Sequence, residues 1–419
     1  MALCCVLCPP AKAQNETSDP YQALIKRDYG TASNELAAIE KEVQDAKPDQ
    51  YARIEDRLLV VIEAPDGTMP GKQFACQMLK AVGSLKCVPA VSKLLTDEKL
   101  SHSARTVLLG LHGSAVDDAL RAALAKTDGK LRVGIINTIG DRGDAASLDA
   151  LAAQLKNSDE AASRAAFNAV GKIGGTKAAD LLDRNHPAAA LKDAWAHAYL
   201  RAAASLAATD SKRAEKMYKS LLEGDAPLSI RAAALPPLAQ AQKERSAPLV
   251  LRWFSSDDTL MRRAAASAII NVPGNSATKA FAKALPGMPS ERKAALVRAL
   301  AARGDAVGVT AAINKIAADD KDPAQTDAIR ALGRLGSAES VPLLAKAIKN
   351  AGPASADAAH ALVELQAPGT TEALRRQADG AEGPAKEALL KALSERAPLA
   401  TAADVAAGKG RTALEKSKQ

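Results

Sequence analysis

The sequence predicts an all-α fold, a right-handed solenoid of antiparallel helix pairs, on three observations. A two-helix unit with a period near 31 residues recurs through most of the 419-residue chain. The composition is 47% hydrophobic but only 3% aromatic. Small side chains suit closely stacked helices, whereas one large compact core would use more aromatic volume. The 26 glycines and 21 prolines are spread at fairly regular intervals, as helix stops and starts would be.

The clearest unit is AIRALGRLGSAESVPLLAKAI, residues 328–348. Ile329, Leu332 and Leu335 form one apolar stripe, and Val341, Leu344 and Ile348 form a second at helical spacing. Gly336 is expected to end the first helix in the left-handed backbone, which glycine adopts at no steric cost. Ser337 and Glu339 stand at the next start, and Pro342 falls in the first turn, where its missing N–H costs nothing. Neither stripe can be buried by this hairpin alone, so each unit needs a copy on either side.

Taken in order, residues 1–13 read as a signal segment. A short apolar run from Ala2 to Cys8 is followed by Ala11-Lys12-Ala13, a small-x-small cleavage pattern with Gln14 as the new first residue. The run is too short to span a bilayer. Export from a bacterial cytoplasm, to the periplasm or beyond, is the expectation. Three of the five cysteines fall in that segment; the remaining pair, Cys76 and Cys87, stands at unequal distances from the expected turn, which favours buried free thiols over a disulfide. Residues 14–66 read as a helical cap. Asp19-Pro20 is an N-cap with an N1 proline, Tyr21, Leu24 and Ile25 start an apolar face, Leu36, Ile39 and Val43 continue it, and Tyr51 to Glu63 forms a further helix. Residues 67–400 form the array, about ten to eleven hairpins. Residues 401–419 are a basic tail, where Lys409, Arg411, Lys416 and Lys418 outnumber Glu415.

Within the array, second helices open with an arginine column: Arg105, Arg132, Arg164, Arg231, Arg263, Lys293, Gln325, Ser355, Lys386. The steps are 27, 32, 67, 32, 30, 32, 30 and 31, the long step holding one elongated unit at 187–224. Acidic residues precede the column, Asp159 before Arg164 and Asp258 before Arg263 by five, with Asp128 and Asp225 at nearby spacings. The acidic turn, the aliphatic-Arg start and the Leu-Gly-x-Leu-Gly exit of residues 332–336 resemble the HEAT repeat family in its short bacterial form. Together with the signal-like start and the segment KQFACQMLKAVGSLKCVPAVSKLL (72–95), the pattern is similar to exported HEAT proteins of planctomycete and verrucomicrobial type. The resemblance covers roughly residues 50–400 and implies a HEAT-like superhelix whose curved surface binds other molecules.

Two groups of residues are candidates for a role. Asp159, Arg164, Arg231, Asp258 and Arg263 are expected to form a structural ladder that ties each unit to its neighbour and satisfies turn backbone groups, because half-buried charges persist only when paired. The column lapses at Gln325 and Ser355, so the last units are expected to be coupled more loosely. In the elongated unit, Trp195 and Tyr199 lie four apart on one face of a helix expected over Ala188 to Ala208, with Tyr218 on the next. Trp195, Tyr199 and Arg201 are the candidate partner-binding residues, since rigid aromatics make good anchors; filling the gap between longer helices is the competing reading.

Catalytic sets do not emerge. The five histidines, at 102, 112, 186, 197 and 360, form no His-x-x-x-His pair and no His-Glu dipeptide. Outside the signal-like segment, which holds Cys5-Val-Leu-Cys8, no cysteine pair stands at zinc spacing; no Cys-x-x-Cys-His haem attachment occurs, and Gly140-Asp-Arg-Gly143 lacks the Lys-Ser/Thr of a phosphate loop. No catalytic, cofactor or metal residue is therefore assigned. The net charge is +8 and the pI about 9.1, with cations dispersed rather than blocked. The expected function is a non-catalytic repeat scaffold with a protein or extended polymer as partner. An acidic polymer or nucleic acid is the weaker alternative, as is a HEAT-like enzyme of the bilin lyase or alkylpurine DNA glycosylase type.

Overall fold

The computed structural model describes residues 19–28 and 34–406, and within them the chain is helical throughout, with no strand. The signal-like segment 1–13, Gly30 and residues 407–419 of the basic tail lie outside the described residues. The fold is an all-α solenoid. The chain divides into two compact units, Met1–Ala202 and Ala203–Gln419.

Unit one holds α1 (Pro20–Ile25), α2 (Asn34–Asp45), α3 (Tyr51–Glu63), α4 (Met69–Val82), α5 (Val88–Lys93), α6 (Ser101–Gly110), α7 (Ser114–Leu124), α8 (Gly129–Arg142), α9 (Leu148–Gln154), α10 (Glu160–Ile173) and α11 (Gly175–Arg184), and the greater part of α12 (Lys192–Leu206). Helices α4, α6, α8 and α10 pack side by side as a row of second helices, while α3, α5 and α7 form the adjoining row of first helices, as do α9 and α11. Helix α1 is a short cap. Asp19 accepts from the Tyr21 N–H and Pro20 sits at N1. Tyr21, Leu24 and Ile25 are buried, and the Arg57 guanidinium lies 3.9 Å from the Tyr21 ring centre.

Unit two continues with α13 (Ser211–Glu223), α14 (Leu228–Gln242), α15 (Ala247–Phe254), α16 (Thr259–Asn271), α17 (Asn275–Ala284), α18 (Ser290–Arg303), α19 (Thr310–Ala318), α20 (Gln325–Leu335), α21 (Val341–Lys349), α22 (Ser355–Glu364), α23 (Thr370–Asp379) and α24 (Gly383–Ala406). The second helices α14, α16, α18, α20, α22 and α24 pack in sequence; among the first helices α15 packs on α17, α19 on α21 and α21 on α23. Helix α24 runs past residue 400, where the tail was expected to begin, to Ala406. In the elongated unit the expected twenty-residue helix is a 3-10 turn, Ala189–Leu191, followed by α12.

Apolar stripes meet between neighbours as the pattern requires: Ile329, Leu332, Leu335, Val341 and Leu344 are all fully buried. Gly336 differs from expectation. Its backbone is extended (φ −71°, ψ 173°), and it is glycine because a Cβ would lie 2.4 Å from the Leu332 carbonyl oxygen and 2.9 Å from Leu365. The Gly of the helix exit has a related cause. A Cβ on Gly140 would stand 2.7 Å from the Ala169 Cα, and one on Gly171 would stand 2.5 Å from the Ala198 Cα, so these glycines let the next second helix cross backbone against backbone. Cys76 and Cys87 are buried and unbridged, as expected, and burial pushes their thiols up to about 12 and about 11.

Candidate partner-binding surface

The second helices of unit one expose one stripe. Gln77, Thr106, Asn137, Asn168 and His197 recur at steps of 29, 31, 31 and 29 on α4, α6, α8, α10 and α12, each exposed or half-exposed. Thr106 Oγ1 donates to its own helix, at the Ser103 carbonyl (2.7 Å). The side chains of Asn137 and Asn168 carry no hydrogen bond, so their amides present donors and acceptors to whatever lies against the wall.

Charged side chains beside this stripe bind consecutive units together. Arg164 on α10 grips both carboxylate oxygens of Asp193 on α12 at 2.9 Å and donates to the Ala190 carbonyl at 2.7 Å. Burial raises the Asp193 carboxyl, but the Arg164 guanidinium and backbone N–H groups outweigh it and hold the acid below its usual range. Lys172 pairs with Asp141, one repeat back. Arg105 on α6 donates to the Gly134 carbonyl of α8 at 3.2 Å.

The expected ladder is therefore differently wired. Asp159 does not pair with Arg164: its carboxylate caps α10, accepting from Ala161 and Ala162. Asp258 likewise caps α16 through the Met261 N–H at 2.8 Å. An aspartate at N-cap has its oxygens committed to the free N–H groups of the first turn, which leaves the arginine to reach forward to the next unit. Arg231 donates to the Leu222 carbonyl at the end of α13 (3.1 Å) and lies over the Trp253 ring. Arg263 is exposed and makes no ion pair; Arg262 instead closes the turn, donating to the carbonyls of Ser256 and Asp257. Ion-pair coupling persists past Gln325: Lys293–Asp322 and Arg298–Asp327 link α18 to the α20 unit, and Arg330, five residues beyond Gln325, links α20 to Asp357 of α22. Beyond Ser355 the side chain five residues on, His360, faces Glu364 of its own helix.

Two arginines that sequence reading passed over do the most local work. Arg142 ends α8, pairs with Asp117 and donates to the carbonyls of Leu108 (2.8 Å) and Leu111 (2.6 Å) at the end of α6. Arg303 ends α18 and donates to Ile269 (2.9 Å), Val272, Gly274 (3.0 Å) and the Thr278 hydroxyl (2.7 Å), closing the end of α16. Each is followed by a left-handed glycine, Gly143 or Gly304, and then by an aspartate. The repeated tetrapeptide, Arg142-Gly-Asp-Ala145 and Arg303-Gly-Asp-Ala306, was the available signal.

The aromatic candidates divide. Trp195 and Tyr199 stack at 4.7 Å, but both polar atoms face α11: the indole N–H donates to the Leu182 carbonyl (3.0 Å) and the Tyr199 hydroxyl to Asp183 (2.6 Å). Tyr199 is buried and His186 packs on the indole. Arg201 is exposed and shares a helical stripe with Asp193 and His197, on the wall rather than with the rings. An open cavity of about 370 Å³ lies between α4 and α6, lined by Arg27, Gln73, Phe74, Gln77, Lys80 and His102 among others. Among the described residues no three His, Cys, Asp or Glu side chains are placed to hold a metal ion, and no helix is long and apolar enough to cross a membrane.

Residues 117–207 match the HEAT repeat family model. The matched stretch takes in α8, α10 and α12, with Asn137, Asn168 and the Arg164 bridge. No curated protein matches the chain. Among solved structures, it is similar to the Kap95:Nup1 complex, with a TM-score of 0.52 at 13% identity, covering 93% of this chain and 64% of that one. It is also similar to a Kap121p mutant, with a TM-score of 0.51 at 11% identity over 87% of this chain and 52% of that one. Yeast importin-beta (Kap95p) aligns at a TM-score of 0.45 and 13% identity, over 90% and 62%. The chain thus spans about half to two thirds of the length of these solenoids, and at such identities the likeness is one of fold.

Proposed function

We propose that the chain is a non-catalytic scaffold that holds a protein partner against the second-helix wall of unit one. The observation that carries the reading is the stripe Gln77, Thr106, Asn137, Asn168 and His197. It places one polar side chain per repeat on a wall where Arg164–Asp193 and Lys172–Asp141 are paired across units, and it offers the two free amides to a partner's backbone. A protein complex is also what the name of the Kap95:Nup1 structure describes for a chain of this fold. The absence of a catalytic set is read from the sequence, where no nucleophile, base and orienting group stand at a working spacing. Membership of the short bacterial form of the repeat, and export, belong to the same proposal and rest on the aspartate–arginine spacing and on Ala11-Lys12-Ala13.

The test is a comparison of wild type with Asn137→Arg/Asn168→Arg in quantitative affinity enrichment from native fractions. Both side chains are half-exposed, so the arginines are tolerated and the wall is blocked. Proteins held by wild type and lost from the variant are the expected result. Identical retained sets, or a turnover that copurifies with the chain and vanishes on a point substitution, would refute the proposal. N-terminal sequencing of the protein recovered from cell fractions tests export: a start at Gln14 outside the cytoplasm supports it, and an intact Met1 opposes it.

A further inference from the structure

From α15 onward, the first helices of unit two carry a cation at the same place in five consecutive repeats; α13 has none in its last turn. Arg252, Lys283, Lys315, Lys346 and Arg376 each stand in the last turn of α15, α17, α19, α21 and α23, at steps of 31, 32, 31 and 30. All five are exposed and none has an ion-pair partner. Helices α15, α17, α19 and α21 also carry Lys279 and Lys349 and contain no aspartate or glutamate. A cation in a last turn complements the helix dipole, which accounts for its presence. The dipole does not account for four successive helices without an acid. The first helices of unit one are the contrast: Lys93 pairs with Glu63, Arg121 with Asp118 and Asp144, and Lys177 with Asp149. The acids near the unit-two row lie mostly between its helices: Asp305 accepts from Thr278 and Asp320 from Gln325, and Glu244, Glu339 and Glu382 lie on connecting segments, while α23 alone of the five helices carries acids of its own, Glu372 and Asp379. Around α21, three adjoining depressions of about 270, 270 and 380 Å³ meet at Pro342, two of them lined by Lys346 and the third by Arg376.

We infer that this row is a docking surface for an acidic, extended segment of a partner protein, one carboxylate to each repeat. The inference rests on the scaffold reading in taking the partner to be a protein. Neighbouring helices pack about 8–10 Å apart. An extended polyproline-type chain rises about 3.1 Å per residue and turns once every three, so acids at every third position recur roughly 9 Å apart on one side. A single nucleic-acid strand fits less well, because it would use exposed aromatic rings for stacking. In these helices Phe254 and Phe281 are buried, and the Trp253 ring lies between Arg231 and Arg252.

Fluorescence anisotropy on the full chain tests this, with a labelled repeating Glu-Pro-Pro peptide of about fifteen residues as the probe. The comparisons are a peptide of the same composition with its glutamates contiguous, an oligothymidylate of equal charge, and the variant Lys283→Glu/Lys315→Glu/Lys346→Glu. The Glu-Pro-Pro peptide is expected to bind in a salt-sensitive manner and to weaken at least roughly ten-fold in the triple variant, as the loss of several exposed charge pairs implies. No loss in the triple variant, equal binding of the contiguous peptide, or tighter binding of the oligothymidylate would each overturn the inference. Circular dichroism of the triple variant establishes that it is folded, and the neutral variant Lys283→Met/Lys315→Met/Lys346→Met, expected to weaken binding less, separates charge from structure. The wall variant Asn137→Arg/Asn168→Arg is expected to leave peptide affinity unchanged. If the peptide fails while wall-dependent enrichment persists, the basic row alone is refuted as a docking surface.

Discussion

Replacing Arg303 with alanine isolates what holds one repeat on the next. Arg303 supplies donors to three carbonyls at the end of α16 and to the Thr278 hydroxyl of α17, from a side chain whose burial lowers its own pKa. The last carbonyls of a helix have no intrahelical donor, so removing the guanidinium leaves Ile269 and Val272 to incoming water or to none. With a net value of about 1 kcal/mol for each hydrogen bond, and more where the donor is charged, the loss comes to roughly 2–4 kcal/mol. Arg330→Ala is the control. It removes the two-pronged bridge to Asp357 at 3.1 and 2.9 Å, from a guanidinium that is 57% exposed to a carboxylate that is 27% exposed, and pairs open to solvent on one side are worth about 0.2–1 kcal/mol. Global unfolding of a repeat array need not be two-state, so the readout is local: hydrogen exchange of peptides from α16 and α18, against peptides from α20 and α22 in the control. A loss near 3 kcal/mol corresponds to protection falling by about a hundred-fold, and the control to less than about five-fold. If Arg303→Ala loses no more protection at its junction than Arg330→Ala does at its own, the clamp reasoning is wrong.

Gly171→Ala would set a Cβ 2.5 Å from the Ala198 backbone and is expected to cost about 1–3 kcal/mol, whereas Gly110→Ala, with nothing within 4 Å, is expected to be neutral or slightly stabilising; urea titrations of the pair decide it. Cys76 and Cys87 have thiols pushed up to about 12 and about 11 by burial, so at pH 8 maleimide labelling of the native chain should be slower than in urea by a factor of about a hundred or more. Equal labelling rates would show the thiols to be open to solvent. Asp322 is raised by burial but lowered further by Lys293 and a backbone N–H, so its folded pKa lies below the unfolded value. Its contribution is thus present above about pH 4 and lost as pH falls through the folded pKa. Asp322→Asn should be less stable than wild type at pH 7, with the gap closing in acid; a gap that widens in acid would reverse the sign.

The repeat, its period and its helix ends were set by local chemistry. Ile329, Leu332 and Leu335 fall on one face whatever surrounds them, and Asp159 and Asp258 mark helix starts because an N-cap needs only the N–H groups two and three residues on. The tertiary structure decided which charges meet. Arg164 and Asp193 lie 29 residues apart, and Arg303 and Ile269 lie 34 apart, so their pairing depends on the stagger of stacked helices, which no single unit encodes. The same holds for Gly336 and Gly171. At Gly171 the backbone of the next helix requires glycine; at Gly336 the Leu365 side chain of the next unit adds to the carbonyl of its own helix, and neither is a left-handed turn. The basic row of unit two was present in the sequence as dispersed lysines and arginines; stacking alone brings one from each of five consecutive repeats into line, because in a solenoid a fixed position in successive units becomes a continuous surface.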